Sequence, residues 1–139
     1  MRNWLAVLMI SMAALLSACA TSPDKMNGLQ QAQYDYSAAI RWGDFEGAWT
    51  LVDPEFKKSQ PMSEAQFSRY QQVQVSGYAD LASNLSPDKQ QAMREIQINV
   101  INKHTMAERS VRYTERWRYD AAAKRWWLTS GLPDFWAGQ

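Results

Sequence analysis

The chain has 139 residues, with 15 Lys and Arg against 14 Asp and Glu, one histidine and one cysteine. A net charge of +1 leaves no basic excess for a nucleic-acid partner, and a single imidazole with a single thiol makes no ligand cluster for a metal. The sequence also holds no glycine-rich phosphate loop and no nucleophile elbow, so no cofactor is expected.

Met1-Arg2-Asn3 is a short basic start, and Trp4 to Leu16 follows without a charge. That run is too short for a spanning helix, which needs ~20 apolar residues, but it suits the ~7–15-residue apolar region of a secretory signal. Leu16-Ser17-Ala18-Cys19 then resembles the lipobox of bacterial lipoprotein precursors. The resemblance implies that residues 1–18 are removed and that Cys19, carrying diacylglycerol and an added fatty acid such as palmitate, becomes the first residue. Each buried CH₂ of such an anchor adds ~0.8 kcal/mol, which makes three-chain attachment durable. The following residue is Ala20 rather than Asp, which by the family's sorting rule implies the outer membrane, facing the periplasm. An ordinary signal peptide with an accidental cysteine fits the same charged-apolar-small pattern. A catalytic Cys19 finds no base among its neighbours. Without Arg2 the mature chain balances 14 cationic against 14 acidic residues, and an acylated Cys19 leaves no disulfide within a monomer.

About 120 residues remain, enough for one domain. Ala20 to Asn27 is polar and contains Pro23, so residues 19–27 are expected to be a lipidated tether and residues 28–139 the folded domain. From Leu29 the apolar positions Leu29, Ala32, Tyr36, Ala39 and Ile40 mark one face of a helix. Gly43 suits a left-handed C-terminal position and Asp44 an N-cap. A second short helix carries Phe45, Ala48, Trp49 and Val52 and ends before Pro54. Ser63 and Gln66 form a capping box for a third, which presents Phe67, Tyr70 and Val73 or Gln74. Residues 77–91 are ambiguous, with a weak strand from Tyr78 to Leu85 and a turn in Ser86-Pro87-Asp88-Lys89.

Beyond them the alternation is regular. Ile96, Ile98 and Val100 share one face of a strand, and Val111, Tyr113, Trp117 and Tyr119 share one face of the next. Arg112, Thr114, Arg116 and Arg118 lie opposite, and Tyr119 to Arg125 turns into a final strand with Trp126, Trp127 and Leu128. Period-two patterning with one wet face describes an antiparallel sheet half-buried against helices, an α+β architecture.

Tyr36 to Phe56, a helix ending at Gly-Asp followed by a short helix closing on Asp-Pro, resembles the ketosteroid-isomerase-like, or nuclear-transport-factor-like, superfamily. Arg112 to Gly131, two long paired strands with an aromatic last strand, resembles the part that closes its cystatin-like cone. The likeness implies N-terminal helices packed on a curved antiparallel sheet whose concave face is either a pocket or a packed core.

Enzymes of that superfamily place an Asp or a His–Asp pair inside the cone. Here position 115 on the apolar face is Glu115, and the strand bearing Ile96 continues through Asn102 to His104. With pKa values shifted by burial, the two can serve as base and acid of an isomerase, dehydratase or hydrolase. That reading requires an open cavity and an unpaired Glu115. In the alternative, His104 is exposed at a strand end and Glu115 pairs across strands with an Arg or Lys. Arg112, Arg116 and Arg118 form a basic strand face that can meet phosphate or an acidic partner, or simply be solvated. Trp126 and Trp127 cannot both point inward, so the outward one, or Trp136 in the tail, is a candidate binding anchor; otherwise the tail caps the cone. The expected function is non-catalytic: binding an envelope protein or a small apolar ligand from the membrane, with a dimer through the sheet face left open.

Overall fold

The computed structural model describes residues 22–138; the expected signal segment and Cys19 lie outside them. Helix α1 spans Ser22–Trp42 and buries Leu29, Tyr36 and Ile40 along one stripe. It starts six residues earlier than the sequence suggests, which corrects the expected tether. Met26 packs against the core, and the Lys25 carbonyl accepts the Trp126 indole N–H at 2.9 Å. These contacts favour helix where composition alone reads as linker. Gly43 closes the helix at φ 75°, with its N–H on the Ile40 carbonyl at 3.2 Å.

Three short helices follow: α2 Phe45–Thr50, α3 Pro54–Ser59 and α4 Glu64–Tyr70. Asp44 caps α2, accepting the Gly47 N–H at 2.8 Å. Asp53 caps α3, whose first residue is Pro54; α2 has already closed at Thr50, and Val52, expected within it, bridges Leu128 instead. Ser63 and Gln66 complete the capping box of α4. That helix ends at Tyr70, and Val73 opens the first strand instead of extending the helix.

The strands β1 Val73–Leu85, β2 Gln91–Asn102, β3 Glu108–Asp120 and β4 Arg125–Leu128 form one antiparallel sheet in sequence order. Ile96 lies opposite Tyr113 and Ile98 opposite Val111, which aligns the apolar faces of β2 and β3. β1 is one continuous strand across the ambiguous stretch, with bulges that shift its register between Val75 and Gly77 and between Asp80 and Ala82. Bulges bend and twist a strand, and the sheet curves around α1. Its concave face holds Tyr36, edge-on to Trp117 at 5.8 Å, together with Ile96, Ile98, Val100, Trp126 and Leu128. The α2–α3 segment covers the short β4 edge: the Asp53 N–H reaches the Leu128 carbonyl at 2.8 Å and the Leu128 N–H the Leu51 carbonyl at 3.0 Å. The C-terminal segment returns over the helices, burying Phe135 against Phe45 and Tyr70. The result is an α+β cone with a packed interior.

Candidate functional site

Alternation along β3 turns Val111, Tyr113, Glu115, Trp117 and Tyr119 inward, and Glu115 is wholly buried. The register sets Arg94 of β2 directly opposite. The Arg94 guanidinium donates Nε–H to Glu115 Oε2 and Nη2–H to Oε1, each at 2.9 Å. The Trp117 indole N–H donates to Oε2 at 2.9 Å, and the Tyr78 hydroxyl donates to Oε1. Arg94 also reaches Asp80 at 3.2 Å. Burial pushes the Glu115 carboxyl above its usual range, while Arg94, Tyr78 and Trp117 pull against that shift. Burial and the neighbouring carboxylate both drive the Tyr78 hydroxyl upward. A carboxylate whose two oxygens already take four donors has no lone pair free for a substrate proton.

The other candidate acid–base group is elsewhere. His104 is exposed in the β2–β3 turn, where its backbone N–H donates to Asn102 Oδ1 at 2.8 Å. Eight strand residues separate Arg94 from Asn102, a span of roughly 25 Å at ~3.3 Å per residue. The pairing of Glu115 with His104 as base and acid is therefore not formed. Beside Glu115, burial raises the hydroxyls of Tyr36 and Tyr113; they meet at 3.0 Å and end on the Gly131 carbonyl.

The predicted binding residues separate into used and free. Trp126 is a core residue, 2% exposed, so it leaves the set of surface anchors. Trp136 is half-buried, edge-on to Tyr70 at 5.0 Å and covered by the Arg69 guanidinium at 4.1 Å; it caps the domain. Arg118 is ion-paired with buried Asp53. Burial works to raise the Asp53 carboxyl, but the Arg118 hydrogen bond and the Glu55 N–H outweigh it and hold the carboxyl below its usual range. Arg112 and Arg116 are exposed on the outer sheet face and form no ion pair among the described residues. Trp127 is the outward tryptophan, stacked under Arg125 at 3.9 Å.

A trough of about 470 Å³ opens where that face meets the β1–β2 turn. Leu85, Pro87 and Met93 lie along it with Gln91, Arg116 and Arg118. Its size falls within the ~300–1,000 Å³ typical of small-molecule sites. The described residues contain no group of acidic, histidine or cysteine side chains able to hold a metal. Sequence reasoning missed Arg94 and Asp53, the partners of Glu115 and Arg118. Arg94 was accessible by parity, since it shares the apolar-face phase of Ile96 and Ile98.

No family model and no curated protein matches this chain. Among solved structures, a SEC-C motif containing protein from Rhodopseudomonas palustris is similar, with 16% identity and a TM-score of 0.54 over 70% of this chain and 72% of that one. A second SEC-C motif containing protein, from Psychrobacter arcticus, gives 13% identity and a TM-score of 0.52 over 71% of this chain, which spans 57% of its length. A domain from Exiguobacterium sibiricum assigned to the Ca/calmodulin-dependent kinase II association type gives 17% identity and a TM-score of 0.57 over 84% of this chain and all of that one. At these identities the likeness is one of fold, and it agrees with the α+β cone.

Proposed function

We propose that this chain is a lipid-anchored domain of the bacterial envelope, held at the outer membrane through Cys19 and facing the periplasm, which acts by binding rather than by catalysis. It belongs, in this reading, with the non-enzymatic members of the nuclear-transport-factor-like group. The observation that carries the non-catalytic part is the state of Glu115: wholly buried, with both oxygens filled by Arg94, Tyr78 and Trp117. An acid–base cone needs the opposite, a group free to accept or release a proton beside open space.

Binding falls to the outer sheet face. Exposed Arg112 and Arg116 supply charge that no ion pair among the described residues takes up, and the trough beside Arg116 sets apolar Pro87 and Met93 next to a guanidinium. An acidic protein segment or a small amphipathic anion fits that chemistry, because a guanidinium recognises carboxylate or phosphate in bidentate fashion. The lipid anchor is supported by the lipobox and by the short connection: only Ala20 and Thr21 separate Cys19 from the start of α1 at Ser22.

The test is in-cell photocrosslinking from positions 95 and 114, which lie between the two arginines on the outer face. The expected result is one discrete adduct from the outer face that disappears in the double variant Arg112→Glu/Arg116→Glu. No adduct from either position, in a chain that is expressed and folded, would remove this face as a binding surface.

A further inference from the structure

We infer that the trough beside Arg116 is a lipid site, which takes the phosphate and upper acyl segment of a phospholipid from the membrane that anchors the chain. This inference rests on the lipid-anchor reading and narrows the ligand of the outer face to one chemistry. Two features select that chemistry: where the trough lies and what lines it.

The trough lies at the anchored end of the domain. Lys25, in the first turn of α1, sets its ammonium over the Tyr119 ring at 4.4 Å. The Tyr119 N–H donates to the Gln90 carbonyl at 2.8 Å, and Gln91, the next residue, lines the trough. Leu85 and Met93 line it too, and they also border a second cleft of about 250 Å³ that Met26 and Leu29 of α1 share. The first turns of α1, the β1–β2 turn and the trough thus occupy one end of the cone. Three residue steps join Cys19 to Ser22, an extended reach of about 10 Å. An acylated Cys19 therefore keeps this end at the membrane surface. Trp42, at the other end of the 21-residue α1, lies about 30 Å away along the helix.

The lining suits the border between headgroup and acyl chain. Arg116 is exposed, and its guanidinium makes no ion pair among the described residues. Arg118, two residues on along the same face, gives its Nε–H to Asp53 and also lines the trough. None of the lining residues is acidic. A guanidinium takes a phosphate through paired N–H donors, and Leu85, Pro87 and Met93 stand beside it to cover apolar chain. An acidic protein segment suits the guanidinium equally; the place beside the anchor is what favours the lipid. Arg112 supplies the contrast. It shares the outer face but lies outside the trough, four residues, or about 13 Å, further from the anchored end.

Photolabelling tests it in the full-length chain, extracted from membranes and reconstituted in phosphatidylcholine vesicles that carry phosphatidylglycerol with a photoactivatable acyl chain. Illumination is expected to attach lipid to the peptide holding Leu85 to Met93. Arg116→Glu is expected to lower that adduct about tenfold, the loss of one charge-assisted contact, and Arg112→Glu to leave it unchanged. Thermal unfolding checks that both exposed substitutions leave the fold intact, and an excess of inorganic phosphate is expected not to displace the lipid. Adducts spread along the chain, an equal loss in both variants, displacement by inorganic phosphate, or no adduct from a chain acylated at Cys19 would each overturn the lipid site alone. A chain extracted without an acyl group on Cys19 would remove the anchor reading and this inference with it. In native membranes, capture of a protein and no lipid from a photoreactive residue at position 90 would assign the trough to a protein partner instead.

Discussion

Glu115 shows how a residue that reads as a catalyst becomes a structural one. The apolar face of β3 identifies it as buried, and parity alone cannot say whether a buried carboxylate is poised or paired. Register decides: β2 sets Arg94 opposite Glu115, and the β1 bulge between Val75 and Gly77 turns Tyr78 to the inward phase, where it meets the same carboxylate. A buried pair costs desolvation that its attraction only partly offsets, so its value is seen when one partner is lost. Replacing Arg94 with Met strands Glu115 in the core and is expected to destabilise the fold by about 3–5 kcal/mol, read as a fall in the urea midpoint. Glu115→Gln keeps the shape and is expected to cost less. The amide nitrogen cannot accept, so the donors on one former carboxylate oxygen lose their acceptor, and a urea midpoint below wild type but above that of Arg94→Met is expected.

Among the elements, those specified by local chemistry are legible and those specified by tertiary contact are not. Gly43, Asp44, Ser63 and Gln66 do what their residue types suggest, because a left-handed turn and an N-cap need only neighbouring backbone. The start of α1 is illegible because Met26 packs on the assembled core and the Lys25 carbonyl finds its partner, Trp126, near the far end of the chain. β1 is weak in the sequence for another reason. An edge strand exposed along six residues has no period-two burial to display, and each bulge resets what alternation remains. The inward face of β3 is legible, whereas the fates of Trp126 and Trp136 depend on how the last strand and tail fold back. Asp53 serves two elements, capping α3 and pairing with Arg118 of β3. Its carboxyl is held below the usual value, near ~3.9 in an unfolded chain. The stability it confers is therefore present above about pH 4 and lost as pH falls through its folded value. Asp53→Asn should remove that acid-side slope, seen by comparing denaturant unfolding of the two chains between about pH 6 and pH 3. At neutral pH it should cost only about 1 kcal/mol or less, through the lost pair with partly exposed Arg118, since Asn caps a helix about as well as Asp.

At the scale of the molecule, the parts have separate tasks. The cone interior is closed by its own aromatic side chains, and the outer face presents two arginines that form no ion pair among the described residues. In the proposed function what joins them is location, since a binding face held near a membrane would meet only partners that share it. Location rests on Cys19, so the most direct measurement is labelling of the expressed chain with an alkyne fatty acid, followed by membrane fractionation. Wild type is expected to be labelled and to sediment with the outer membrane, while Cys19→Ser is unlabelled and absent from it. An unlabelled wild-type chain, or a Cys19→Ser chain that fractionates as wild type does, would contradict the account.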